Sequence, residues 1–92
     1  MEDNKKEMVY HLMEAIMTLR TIEECEKFFY DICSKEELNK ISRRVLIAKL
    51  IAEGETYRSI LEKTNASNIT ISRLKTVMSN DGSVLADVVK RI

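Results

Sequence analysis

The sequence has few of the residues that interrupt helices. Its 92 residues include no proline and only two glycines, and about one third of them are charged. Proline breaks helices and glycine weakens them, so their scarcity favours a protein built of helices. The length corresponds to one domain. We therefore expect a single all-α domain over residues 1–92.

Long apolar runs and export signals are also missing. No apolar stretch approaches the ~18 residues that a membrane span requires. Glu2 and Asp3 follow Met1 at positions where a secretory signal would be basic. These features predict a cytoplasmic protein that does not associate with a membrane.

Residues for catalysis or metal binding are too few to form a recognisable site. His11 is the only histidine, and no nucleophile, base and orienting carboxylate are arranged around it. Cys25 and Cys33 are eight residues apart in a predicted helix, about 12 Å along its axis, which is too far for a disulfide. Gly54 and Gly82 stand alone and form no phosphate-binding loop. We predict no enzymatic activity, no metal and no cofactor.

The periodicity of apolar residues predicts six helices. The first three cover about 3–19, 21–33 and 34–52, two follow between 56 and 78, and the last comes after Gly82. Thr21 and Glu24 form a T-x-x-E capping box at the start of the second helix. That helix should bury five side chains, namely Ile22, Cys25, Phe28, Phe29 and Ile32. Residues 45–52 read V-L-I-A-K-L-I-A, so the third helix should run through the core.

The segment from Thr56 to Val77 has the pattern of a helix-turn-helix. Thr56 can cap a first helix, and Asn65 tolerates the left-handed conformation that a tight turn requires. Ser67 can cap a second helix. The first helix should bury Tyr57, Ile60 and Leu61, and the second Ile71, Leu74 and Met78. Packed helix pairs with a polar outer face also occur in proteins that do not bind DNA.

The outer face of the second helix favours DNA binding. Short polar side chains let a helix enter the major groove, Asn and Arg form paired hydrogen bonds with base edges, and an isoleucine can contact a thymine methyl. We expect Asn68, Ile69, Thr70 and Ser72 to select the sequence, and Arg58 and Lys63 to contact phosphates. The full predicted DNA-binding set is Thr56, Tyr57, Arg58, Lys63, Ser67, Asn68, Ile69, Thr70, Ser72 and Arg73.

The charge distribution supports a nucleic-acid partner although the formal net charge is zero. Residues 1–33 carry four Lys or Arg against eight Asp or Glu, a balance of −4. Residues 34–80 carry nine against five, a balance of +4. The basic segment therefore surrounds the helix-turn-helix, where it can meet phosphates.

The apolar surface of the outer helices predicts a homodimer. The first helix has two apolar rows, one of Met8, Leu12, Ile16 and Leu19 and one of Val9, Met13 and Met17. Short helices of a small domain do not easily cover so much surface, although contacts with several neighbours in one chain remain an alternative. We expect dimerisation through helices at about 3–53 and 83–92. The two helix-turn-helix segments of the dimer, its reading heads, would then contact half-sites one helical turn apart.

The order of helices and two motifs resemble the trp repressor superfamily. The motifs are G-E-T-Y-R-S-I-L and N-A-S-N-I-T-I-S-R, and T-L-R-T-I-E-E-C-E-K-F-F-Y-D-I-C resembles its YerC/YecD-type branch. The resemblance implies an intertwined homodimer that binds operator DNA and regulates transcription, as a repressor.

In the trp repressor, a bound tryptophan lies between two arginines, and the matching positions here are Arg44 and Arg73. This chain has Leu74 in place of a glycine that makes room for the ring, and Val77 in place of a serine that helps hold the amino group. We therefore expect no control by tryptophan. Three roles remain open for Arg44 and Arg73, namely salt bridges, phosphate contacts or the binding of an unknown small effector. A helical module that binds a protein partner is the alternative to DNA binding.

Overall fold

The computed structural model describes residues 2–92, with side chains from residue 3 onward, and every regular element in that range is a helix. The six helices are α1 (Glu2–Met17), α2 (Ile22–Ile32), α3 (Lys35–Ala52), α4 (Tyr57–Thr64), α5 (Asn68–Ser79) and α6 (Leu85–Lys90). This result confirms the all-α prediction and the predicted order. The predicted absence of a secretory signal rests partly on Met1, which lies outside the described residues. None of the described helices is long and apolar enough to cross a membrane.

The described chain divides into two compact units, one ending at Lys35 and the other covering Glu36–Ile92. The first unit contains α1 and α2. Thr21 caps α2 by accepting a hydrogen bond from the Glu24 amide at 3.0 Å, as the T-x-x-E motif predicts. The Glu24 carboxylate accepts from the Arg20 amide, one residue before the amide expected in a capping box.

No described side chain of the first unit is buried within the single chain. The predicted burial of Ile22 and Ile32 is therefore wrong for the isolated chain, since their exposed fractions are 82% and 52%. Cys25, Phe28 and Phe29 are half-buried, and the two phenylalanine rings meet edge to face at 5.3 Å. The periodicity identified the apolar face of α2, but this unit contains nothing that covers it.

The second unit contains the hydrophobic core. Six buried side chains from α3, α4, α5 and the turn after α4 form it, namely Ile47, Leu50, Ile60, Ala66, Ile71 and Leu74, with Ile51 and Leu85 packed against them. Helix α3 supplies the base of this core, as its apolar run predicts. Val45 and Leu46 stay 38% and 42% exposed, so α3 is not surrounded on every side within one chain.

The end of α3 brings the chain directly into α4. Gly54 has a φ of +80°, which favours glycine. The Gly54 amide donates to the Ile51 carbonyl, and the Glu55 amide donates to the Leu50 carbonyl at 3.1 Å. These two bonds form a Schellman motif, which ends α3 and sets the direction of the chain into Thr56.

Candidate nucleic-acid interface

Hydrogen bonds at three residues form the helix-turn-helix. Thr56 accepts from the Ser59 amide at 3.1 Å and caps α4. Asn65 ends α4 with a φ of +53°. Ser67 accepts from the Thr70 amide at 3.2 Å and caps α5. All three roles agree with the sequence predictions.

The buried Thr64 side chain stabilises the turn, a role that was not predicted from the sequence. Its buried hydroxyl donates to the Ile60 carbonyl at 2.7 Å and accepts from the Ala66 amide at 3.3 Å. Ala66 is itself in the core. The turn therefore has a fixed position relative to α4, which fixes the start of α5.

The inner face of the motif is smaller than predicted. Ile60, Ile71 and Leu74 are buried, whereas Met78 is half-buried. The expected burial of Tyr57 and Leu61 is wrong for the single chain, because 37% of each is exposed. Both residues are therefore only partly covered in the single chain.

The outer face of α5 carries most of the predicted contact residues. Asn68, Ile69, Ser72 and Arg73 are exposed, with Ile69 exposed by 81%. Thr70 differs, because its side chain is half-buried and its hydroxyl lies 3.0 Å from the Ser67 hydroxyl. The start of α5 therefore presents short polar groups and one exposed aliphatic side chain, a surface that suits the major groove.

The cations of α4 are exposed and paired with carboxylates. Lys63 donates to Glu55 at 2.9 Å, and Arg58 lies 3.8 Å from Glu62. The hydrogen bond and charge of Glu55 raise the pKa of Lys63, while hydrogen bonds from Lys63 and Ser59 lower the pKa of Glu55. Such exposed pairs are weak, so a phosphate can displace the carboxylate.

A basic cleft lies between α3 and the start of α5. It has a volume of about 400 Å³, and its lining includes Lys40, Arg43 and Arg44 from α3 and Asn65, Ser67 and Thr70 from the turn and α5. Lys40 and Arg43 are not among the site residues predicted from the sequence. Their spacing at i, i+3 and i+4 with Arg44 puts the three cations on one face of α3, and this was the available signal.

A second cavity contains the two arginines that the resemblance singled out. It measures about 300 Å³ and is lined by Arg44, Ile69, Thr70, Arg73, Leu74 and Val77. Neither arginine forms an ion pair with any residue that the structure describes. Leu74 and Val77 form an apolar wall of this cavity.

The helical fold and the surface around α5 define the class of helix-turn-helix DNA-binding regulators. The model of the family described as Trp repressor protein matches residues 7–92. The chain therefore belongs to the Trp repressor protein family, a family of regulators. An uncharacterised protein called YerC from Bacillus subtilis (strain 168) is 38% identical over 77 residues, which are 82% of this chain and 74% of that protein.

Two crystal structures have the same fold. A TrpR-like protein from Eubacterium eligens ATCC 27750 is 36% identical, with a TM-score of 0.83, and the match covers 99% of this chain and 94% of that one. A candidate Trp repressor from Staphylococcus aureus is 34% identical, with a TM-score of 0.85 and coverage of 99% and 93%. These comparisons confirm the predicted resemblance, including its YerC-type branch.

Proposed function

We propose that the protein is a sequence-specific transcriptional regulator that binds a palindromic operator as a homodimer and acts as a repressor. The observation that carries this proposal is the surface at the start of α5. There Asn68, Ile69 and Ser72 are exposed beside cations of α3 and α5 that have no carboxylate partner among the described residues. A cytoplasmic location is part of the same proposal.

The contact residues divide into two groups. Asn68, Ile69 and Ser72 would contact base edges, and Thr70 would contribute at the edge of this surface because its hydroxyl already bonds to Ser67. Arg58, Lys63 and Arg73 would contact phosphates, which carry no sequence information. Thr56 and Ser67 would act through their capping bonds, and Tyr57 would lie beside the groove as a half-exposed ring.

A second copy of the chain is the occupant that we propose for the apolar face of α1 and α2. Nine large apolar side chains of these helices are exposed by 37% or more, namely Met8, Val9, Tyr10, Leu12, Met13, Met17, Ile22, Tyr30 and Ile32. No described side chain of this unit is buried in the single chain. A helix pair without buried residues has little to offset its conformational entropy, so the dimer supplies the missing core.

The second cavity does not suit tryptophan. Arg44 and Arg73 could lie against an aromatic ring. The wall formed by Leu74 and Val77 has no hydrogen-bond partner for an amino group, and a buried ammonium without a partner is unfavourable. We therefore propose that DNA binding requires no tryptophan. Any small effector in this cavity would have to match an apolar wall and two guanidinium groups.

Asn68→Ala is expected to reduce sequence discrimination. A good base contact contributes about 1 to 3 kcal/mol, so affinity for the operator should fall by about 5-fold to 150-fold while affinity for random DNA stays the same. Fluorescence anisotropy with an operator duplex and a scrambled duplex measures both affinities.

Arg58→Gln is the matched comparison, because Arg58 is exposed on α4 and assigned to phosphates. It should weaken binding to both duplexes by similar factors. An equal loss on both duplexes for Asn68→Ala would show that its assignment to a base is wrong.

A protein partner is the second candidate, and the exposed Ile69 together with the half-exposed Tyr57 and Leu61 gives it a specific basis. Salt distinguishes the two functions. DNA binding releases counterions, and contacts with 6 to 10 phosphates reduce affinity by about 10³ to 10⁵ between 50 and 200 mM salt. An apolar protein interface would be much less sensitive to salt.

A further inference from the structure

We propose that the cleft between α3 and the start of α5 is a phosphate-binding site in which Lys40 and Arg43 supply the charge that recognises the ligand. Neither residue belongs to the helix-turn-helix. The ligand chemistry is a phosphate group, carried either by the DNA backbone or by a small anionic molecule. For the DNA source the inference rests on the proposed function, whereas for the small-molecule source it stands alone.

The charge of the cleft favours an anionic ligand. Lys40, Arg43 and Arg44 line a space of about 400 Å³. None of them forms an ion pair with a residue that the structure describes. By contrast, Arg58 and Lys63, a short distance along the chain, both have carboxylate partners. Three uncompensated cations around one space produce a positive potential that an anion would reduce.

Two neutral polar side chains of the cleft, Ser67 and Thr70, already have hydrogen-bond partners. The Ser67 hydroxyl accepts from the Thr70 amide and lies 3.0 Å from the Thr70 hydroxyl. These two hydroxyl groups therefore have little remaining capacity to form hydrogen bonds with a neutral ligand. The three cations keep their full capacity to bind an anion. The guanidinium of Arg43 can bind two phosphate oxygens at once, and Lys40 acts as a point charge.

The cleft lies beside the turn of the helix-turn-helix. Its walls include Asn65 and Ser67, the turn that precedes the predicted reading helix. A backbone phosphate held there would fix the register of α5 relative to the bases. Arg44 and Thr70 line both this cleft and the second cavity, so a phosphate that engages Arg44 here would compete with a ligand for Arg44 there.

The test uses the full chain with both cations replaced, Lys40→Gln with Arg43→Gln. The control is Lys90→Gln with Arg91→Gln, which removes the same charge from two exposed residues that do not line the cleft. All four positions are exposed, so helix content and the urea midpoint should match the unmodified protein. These two properties and the mass in solution are measured first for each variant, because all four positions lie in segments that are predicted to dimerise.

The first arm titrates inorganic phosphate into DNA-free protein at constant ionic strength and follows the amide NMR signals of residues 65–70. We expect saturable shifts in the unmodified protein and the control, and at least tenfold weaker binding in the cleft variant. The second arm measures the dependence of DNA affinity on salt. One phosphate per subunit should reduce the slope of log K against log salt by about 0.9 for each subunit of the bound species.

The two arms distinguish the sources. A slope that is reduced in the cleft variant but not in the control identifies DNA as a source. Phosphate binding that is weakened in the cleft variant alone, with an unchanged slope, identifies a small anion. Either result supports the site. The proposal is overturned if the cleft variant equals the control in both arms. If the unmodified protein binds no DNA, the proposed function fails. The phosphate titration still tests whether the cleft binds phosphate.

Discussion

Replacing Met13 by Glu is expected to abolish dimerisation at micromolar concentration, and sequence-specific DNA binding with it. Met13 is 48% exposed in the single chain, in the apolar row that also contains Val9. In the proposed dimer this row is covered, so the new carboxylate would be buried without a partner. Twofold symmetry introduces the change twice. At about 3 kcal/mol for each site, dimerisation weakens by about four orders of magnitude.

Sedimentation equilibrium provides the measurement. The unmodified protein should have twice the chain mass. The Met13→Glu variant should have the mass of one chain, whether that monomer is folded or partly unfolded. Asn4→Glu is the control, since it puts the same charge on α1 at an exposed polar position. A Met13→Glu variant that still sediments as a dimer would contradict the proposed interface. A folded monomer of the unmodified protein would exclude the dimer itself.

Replacing Ile71 by Ala should strongly destabilise the helix-turn-helix. Ile71 is completely buried in the core that joins α3, α4 and α5. Truncating a buried isoleucine to alanine costs about 2 to 5 kcal/mol. Since a domain of this kind has a total stability of about 5 to 15 kcal/mol, the loss is large. Affinity for operator and random DNA should fall together, because the position of α5 depends on this contact.

Ile69→Ala is the matched control, the same substitution two residues earlier on α5. Ile69 is 81% exposed, so the free energy of unfolding should change by less than about 0.5 kcal/mol. Its effect should appear in DNA binding, as weaker selection at one base position. Urea denaturation followed by circular dichroism measures the stabilities. Equal urea midpoints for the two variants would contradict the assignment of Ile71 to the core and Ile69 to the surface.

The parts of the fold that depend on local chemistry were predictable from the sequence. Thr56, Asn65 and Ser67 each act through a bond or a backbone conformation within a few residues of their own position. Their residue types are favoured at these positions for physical reasons that do not depend on the rest of the chain. The element order and the location of the turn therefore followed from the sequence.

The extent of burial was less predictable. The apolar periodicity of α2 was read correctly, yet Ile22 and Ile32 are exposed in the single chain. Tyr57 and Leu61 on α4 were also predicted to be buried, and they are partly exposed. A period of 3.6 residues indicates which face of a helix is apolar, but it does not indicate what covers that face. A second chain is one answer, and a sequence read as one chain does not distinguish it from intramolecular packing.

The basic cleft was missed for a different reason. Lys40 and Arg43 are more than 20 residues from Ser67 in the sequence, and only the packing of α3 against the helix-turn-helix brings them together. The three cations on one face of α3 were visible as a pattern. The sequence did not show that this face borders the start of α5. The charge balance of residues 34–80 indicated the basic segment, though not the position of the cleft within it.

Selection of bound fragments from a random DNA pool tests the central claim most directly. The purified protein would be used with no added ligand, and the recovered fragments sequenced. We expect a palindromic motif whose half-sites are centred about 10 to 10.5 base pairs apart, as two reading heads related by a twofold axis require. A pool that shows no enrichment, or a motif without twofold symmetry, would contradict the claim that the protein reads its operator as a ligand-independent homodimer.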